Sequence, residues 1–176
     1  MSATERVMLD LETWGTTAGA AIESIGLVRF DSDGLGWDLH LSVSKQSCEL
    51  AGLHIDAETQ AWAHDNRQVS PDTLRHGQPL PAALDHAAAF LDDEAQIWAK
   101  PPAFDAVILA AAYRAVGRQP PWDHWRTRCV RTAADLAGDD WPHGLDRRGD
   151  KHNALDDARY QARQVVASGL LDGGAL

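Results

Sequence analysis

An α/β layered domain with a mixed sheet is predicted from three features of this chain. Residues 6–11, 22–30 and 37–43 are short apolar or alternating runs, close enough in sequence to form an antiparallel meander. The chain then turns to capped, alanine-rich stretches of helical character. Short strand-like runs reappear between those helices, an order that layers helices against a sheet.

Taken in order, residues 6–11 read as a buried strand, closed by the Gly/Thr-rich loop 14–19. Residues 22–30 are rich in β-branched side chains. Asp31-Ser32-Asp33-Gly34 is a strong turn signal, after which Trp37, Leu39, Leu41 and Val43 alternate with polar neighbours. Asp56 can cap a helix over 57–65, and Ser70-Pro71 opens another short one. Residues 81–91 are Ala-rich with an apolar stripe, and 96–99 form a short strand. Pro101-Pro102 precedes a helix from about residue 104 to 116. A fifth strand is expected at 128–131, a short helix at 132–137 and a long helix at 152–168. The stretch 141–151, with Pro142, Gly144 and Gly149, is loop-like and could form a mobile lip over a site. No repeat, low-complexity tract or long linker divides the chain, so residues 1–176 are expected to form a single domain.

Composition narrows the function classes. Apolar content of 44% and charged content of 24% are ordinary for a globular protein. No apolar stretch reaches the ~20 residues of a membrane span, and no signal peptide precedes the first strand. Cys48 and Cys129 read as two free thiols in a reducing cytoplasm. The net charge of −10 argues against a broad basic surface for nucleic acid, but not against an enzyme gripping a few nucleotides in a cleft. Thirteen of the sixteen basic residues are Arg, which suits bidentate phosphate contacts. The mixture of Arg and Asp between Arg126 and Lys151 reads as a solvated surface.

Three motifs carry chemistry. Asp10 and Glu12 stand one residue apart at the end of the first strand. Strand side chains alternate, so both project from one face, where an unneutralised pair would repel. A divalent cation would relieve that repulsion; two solvated acids at a frayed strand end is the alternative. The second motif, Phe104-Asp105, delivers an acid at a helix start, where Asp could equally serve as a cap. The third, His152-Asn153-Ala154-Leu155-Asp156-Asp157, could be a capped helix with acids in its first turn.

Together and in this order, the three blocks resemble the DEDDh branch of the 3′–5′ exonucleases. Asp-x-Glu-Thr appears as Asp10-Leu11-Glu12-Thr13, the mid-chain acid as Asp105, and His-x-Ala-x-x-Asp as the block from His152 to Asp157. The flanking details, Trp98 and Pro121-Trp122-Asp123, look like the small phage-type and RNase AS-like members. The resemblance implies a ribonuclease H-like three-layer fold, with a mixed five-stranded sheet flanked by helices. It also implies hydrolysis of single-stranded DNA or RNA from the 3′ end to nucleoside 5′-monophosphates. Two Mg²⁺ ions, with Mn²⁺ able to substitute, are its implied cofactors. Asp10 would bridge both ions, Glu12 and Asp157 would complete the site nearer the attacking water, and Asp105 would support the second. His152 would be the general base, a role a neutral imidazole can fill near neutrality. Two such ions ~3.5–4 Å apart stabilise both oxygens of an in-line phosphoryl displacement. Many relatives are dimers, which leaves a homodimer open.

On a regular helix Asp156 would lie about 40° from His152 and Asp157 about 140°, so the wheel alone pairs His152 with Asp156. The family pattern selects Asp157 and leaves Asp156 solvated, which requires His152 to precede the regular helix. By position, Thr13 and Trp14 would contact the terminal nucleotide; Trp14 could stack on a base or simply cover the sheet edge. Trp62 flanks the cleft but at helical spacing reads as core, Trp98 and Trp122 as packing, and His54, His64, His76 and His86 as surface residues. Other readings are an exoribonuclease restricted to short RNA, a non-catalytic nucleic-acid-binding domain of the same fold, and a phosphohydrolase acting on small esters.

Overall fold

The first strand, β1 (Arg6–Thr13), lies at the centre of a five-stranded sheet. The computed structural model describes residues 5–66, 77–91 and 94–172, so the short helix expected at Ser70-Pro71 lies outside the described residues. β2 (Ile22–Asp31) and β3 (Gly34–Ser42) continue from β1 as an antiparallel meander. β4 (Gln96–Ala99) and β5 (Thr127–Cys129) add on the other side, both parallel to β1, giving the order β3-β2-β1-β4-β5. The helices are α1 (Lys45–Leu50), α2 (Ala57–Asn66), α3 (Leu80–Phe90), α4 (Asp105–Ala115), α5 (Val130–Ala137) and α6 (Ala154–Ala167). None of the described helices is long and apolar enough to cross a membrane.

The period of two along β1 divides the interior in half. Val7, Leu9 and Leu11 enter a large core with Ile25, Leu27, Leu84, Ile108 and Leu109. Met8 points the other way, into a smaller core with Val28, Trp98, Ala158, Ala162 and Val165. Asp10 and Glu12 continue the Met8 face, so the sheet itself aims both acids toward the α6 layer. Trp98 and Trp122 are buried, as expected of packing residues, and Phe30 meets Trp98 edge-on at 5.9 Å.

α6 lies unusually close to the sheet at one point. Gly26 pairs with Asp10 across β1 and β2. A Cβ at Gly26 would fall 2.3 Å from the backbone carbonyl of Ala154, so the first turn of α6 rests where a side chain would otherwise stand. The small residues Ala154, Ala158 and Ala162, all fully buried, continue this approach along the helix.

Several boundaries differ from expectation. Val130 and Arg131 belong to α5 rather than the fifth strand, because β5 pairs with β4 only through Cys129. The helix α1 adds to the expected elements; its N-cap Ser44 accepts a hydrogen bond from the Ser47 amide, a local signal of ordinary form. On the edge strand β3, Leu41 is buried while Trp37 is 82% exposed, so the alternation expected there covers a core only at its C-terminal end. α6 begins at Ala154, which leaves His152 in the preceding loop.

Candidate active site

Asp105 is the most deeply buried acid of the site. It opens α4, but its carboxylate does not simply cap that helix. Oδ1 accepts a hydrogen bond from the Leu11 amide of β1 at 3.1 Å, tying the helix start to the central strand beside Asp10. The Leu11 amide can donate there because β1 has run past β4, whose pairing with it ends at Trp98. Burial pushes the Asp105 carboxyl up to about 7, against amide hydrogen bonds that favour the charged form. Asp10 is only partly shielded from solvent by area, yet protein surrounds its carboxylate. Its proton affinity is raised well above the usual range, first by desolvation, then by the charges of Asp105 and Glu12. Two groups work against this rise: Gln161 Nε2, which donates to Asp10 Oδ1 at 2.7 Å, and the more distant charge of Arg147.

The other side of the site comes from the loop before α6. His152 has φ +62, a left-handed conformation costing a non-glycine residue about 1–2 kcal/mol. Two contacts hold it there. Its amide donates to Asp157 Oδ2 at 2.9 Å, and Asn153 caps α6 by accepting from the Leu155 and Asp156 amides at 3.1 Å each. Because His152 stands outside the helix, the wheel angle that would pair it with Asp156 does not apply. One ligand atom each from Glu12, His152 and Asp157 lie within 4.8 Å of one another. Glu12 is 6% exposed, so strand and loop meet at a mostly enclosed carboxylate.

Asp156 is not the solvated acid expected. It is half-buried, accepting from the Asp150 amide at 3.0 Å and from Arg159 Nη1 at 3.3 Å. Gly149 makes room for it: its φ is +85, and a Cβ there would lie 2.3 Å from the Asp156 carboxyl carbon. The two adjacent acids thus divide the work, Asp156 folding the loop and Asp157 facing Glu12 and His152.

Of the two roles weighed for Trp14, its burial fits packing. The side chain is 4% exposed, with Lys45 Nζ 4.8 Å from the ring centroid. Thr13 is also buried and donates its hydroxyl to the Gly15 carbonyl at 2.7 Å. It nevertheless lines an open cleft of about 390 Å³ with Thr16, Glu58, Thr59, Trp62 and Phe104. The exposed aromatic of this cleft is Trp62, read from sequence as core but 42% exposed. Its indole meets the His152 ring edge-on, centroids 5.0 Å apart. Of the other histidines, His64 and His86 are exposed; His54 is half-buried and shares a hydrogen bond with Thr17 Oγ1, and His76 lies outside the described residues.

Sequence reasoning also missed Gln161 and Arg147. Gln161 stands one helical turn after Asp157, a spacing that puts both on one face of α6. Arg147 pairs with Asp157 Oδ1 while its guanidinium stacks 4.8 Å over Tyr160. Nothing in its Arg- and Asp-rich surroundings set it apart from a surface residue.

The donor set suits a hard divalent cation. Its atoms are carboxylate oxygens with one imidazole, and the mutual repulsion that raises Asp10 is what bound positive charge would remove. Acids from a central strand and a helix start, facing a His from the loop before the last helix and an acid from that helix, on this mixed sheet define a DEDDh-type 3′–5′ exonuclease. The model of the 3′-5′ exoribonuclease Rv2179c-like domain matches residues 5–168, and the chain belongs to that family.

The fold is shared with solved ribonuclease H-like nucleases. The nuclease domain of 3′hExo, a DEDDh family member bound to rAMP, superposes with a TM-score of 0.70 at 12% identity, covering 98% of this chain and 94% of that one. Pop2p of S. pombe, in a Mg²⁺- and Mn²⁺-bound form, gives 0.61 at 14% identity, covering 97% and 85%. The cell-death related nuclease CRN-4 gives 0.56 at 10% identity, covering 97% and 64%. None of the curated proteins matches the chain in sequence.

Proposed function

We propose that this chain removes nucleoside 5′-monophosphates one at a time from the 3′ end of single-stranded nucleic acid, with RNA as the favoured substrate. The preference for RNA rests on the family's description as exoribonucleases. The observation that carries the chemistry is the convergence of Glu12, His152 and Asp157 within 4.8 Å, beside Asp10 and the buried Asp105.

In this reading Asp10, Glu12 and Asp157 would hold one divalent ion, and Asp105 with Asp10 would support a second. A Mg²⁺ pair, when bound, supplies Lewis-acid stabilisation of the entering and leaving oxygens of an in-line displacement. The protein does the rest. The cleft walled by Thr13, Trp62 and Phe104 receives the terminal nucleoside, with Trp62 rather than Trp14 as the exposed aromatic face. His152, exposed on its loop and outside the regular helix, takes the proton from the attacking water as the P–O bond to the upstream 3′ oxygen breaks. Trp62 limits the swing of its ring. Residues 1–176 would act as one exonuclease domain in the cytoplasm, where the two unbridged thiols, Cys48 and Cys129, are at home.

The test is an oligonucleotide panel, 5′-labelled, as RNA and DNA, single- and double-stranded, with free or blocked 3′ ends, in Mg²⁺ or Mn²⁺. Stepwise shortening from free 3′ ends, faster on single-stranded RNA, is expected. Cleavage of blocked ends, or of internal bonds, would overturn the reading.

A further inference from the structure

The sheet places three cations around the acid cluster that the catalytic scheme does not use. β4 and β5 run parallel to β1, so the carboxyl ends of all three strands reach the same edge. Open α/β sheets bind ligands at that edge. Met8–Trp98 is the last pair, and Lys100 follows two residues beyond it on one chain segment as Asp10 does on the other. Ala99 pairs with Cys129, and Arg131 follows two residues later at the start of α5. Arg147 arrives from the opposite layer, pinned to Asp157 and Tyr160.

From this placement we propose that Lys100, Arg131 and Arg147 form a cradle for the backbone phosphates of the strand upstream of the cut. The proposal rests on the exonuclease reading and extends it to the polymer beyond the terminal nucleotide. Three observations support it. Among the described residues neither Lys100 nor Arg131 makes an ion pair, although the chain carries a net charge of −10. The cations sense one another: partial burial and then the charges of Arg131 and Arg147 hold the Lys100 ammonium below its usual range, with Asp10 pulling the other way. The Arg147 side chain keeps 23% of its surface open to solvent while it pairs with Asp157 and stacks on Tyr160.

None of these three residues lines the cleft of Thr13, Trp62 and Phe104. With the terminal nucleoside in that cleft, the rest of the strand needs another route. Like charges gathered beside an acidic cluster give its phosphates one, and guanidinium groups suit their geometry. A chain too acidic for broad nucleic-acid binding would thus concentrate its attraction at a single rim.

The test compares two substrates in the intact protein. One is a single-stranded oligonucleotide of about ten residues; the other is a nucleoside 5′-(p-nitrophenyl phosphate), which offers a cleavable phosphoester but no upstream phosphate. Lys100→Gln and Arg131→Gln both alter exposed positions, and thermal melts verify folding. Each should raise the oligonucleotide KM about 5–10-fold with kcat little changed, and reduce kcat/KM for the ester by a clearly smaller factor. Oligonucleotide anisotropy in Ca²⁺ should show the slope of log K against log salt reduced by ~0.7 for each phosphate no longer neutralised. Equal reductions on both substrates, or an unchanged salt slope, would overturn the cradle. If the unaltered protein cleaved neither substrate, the exonuclease reading would fall, while the salt slope would still judge the cradle by itself.

Discussion

Asp10 and Asp105 are held by a central strand and a helix start, among buried side chains. His152 and Asp157 are carried by an exposed loop and the helix it feeds. In the first pair charge is the problem: burial drives proton affinity up at both acids, the charges of Asp105 and Glu12 add to it at Asp10, and a glutamine amide with amide donors gives only partial relief. In the second pair charge is already answered. Asp157 has Arg147 and the His152 amide, and its neighbour Asp156 has Arg159 and the Asp150 amide. The strained His152 backbone shows where the cost falls in the second pair, in conformation. One region carries buried charge that its hydrogen bonds only partly relieve; the other is satisfied and conformationally held.

Removing charge from the sheet side should have the largest effect. Asp10→Asn is expected to reduce turnover on the order of 10³-fold or more, as loss of a preorganised electrostatic group does. In metal-free buffer the same change should stabilise the fold by on the order of 1 kcal/mol, read as a rise of ~2–4 °C in Tm. A variant that lost activity but also lost metal-free stability would contradict that repulsion. On the loop side, His152→Ala should lower the rate by about 10²–10⁴. Calorimetric titration should show divalent-ion binding retained; loss of binding would make His152 a ligand rather than a base.

The pH response sharpens the contrast further. A carboxyl raised in the folded state binds its proton more tightly there than in the unfolded chain, so stability declines as pH rises between the two values. For Asp105, moving from ~4 when unfolded to about 7 when folded, the metal-free Tm should fall across that interval and Mg²⁺ should restore it. Asp105→Asn should flatten the metal-free curve, and a curve of unchanged slope would place the effect elsewhere. The smallest change is expected from Asp156→Ala, a loss of about 1 kcal/mol for its hydrogen bonds. Amide exchange should quicken at residues 149–152, with activity falling less than tenfold, whereas Asp157→Ala should fall far further.

This contrast also marks what could be read from the chain. Strand alternation alone placed Asp10 and Glu12 on one face, and the sheet keeps them there because nothing in a strand can rotate one against the other. The order of elements, from meander to mixed sheet, followed equally from short-range patterns. The loop side was legible only through family resemblance, since a helical wheel selected Asp156 and assumed that His152 was helical. The partner of Asp156 lies six residues back, in a turn that Gly149 permits, and no periodic signal encodes such a turn. Trp62 departs from its expected core position, and the choice left open for Trp14 was not decidable from sequence, for a similar reason: exposure of an aromatic depends on which layer covers it, which spacing within one helix or strand does not specify.

Gly26 ties the two regions together. With no methyl group beneath Ala154, the last helix settles directly onto the strand opposite Asp10, and the gap between Asp157 and the β1 acids is gauged by backbone touching backbone. A larger residue at that position would act as a shim, lifting one jaw of the vice from the other while leaving each acid and His152 chemically intact. The separation of the two acid groups is thus set partly by a residue that has no side chain to contribute.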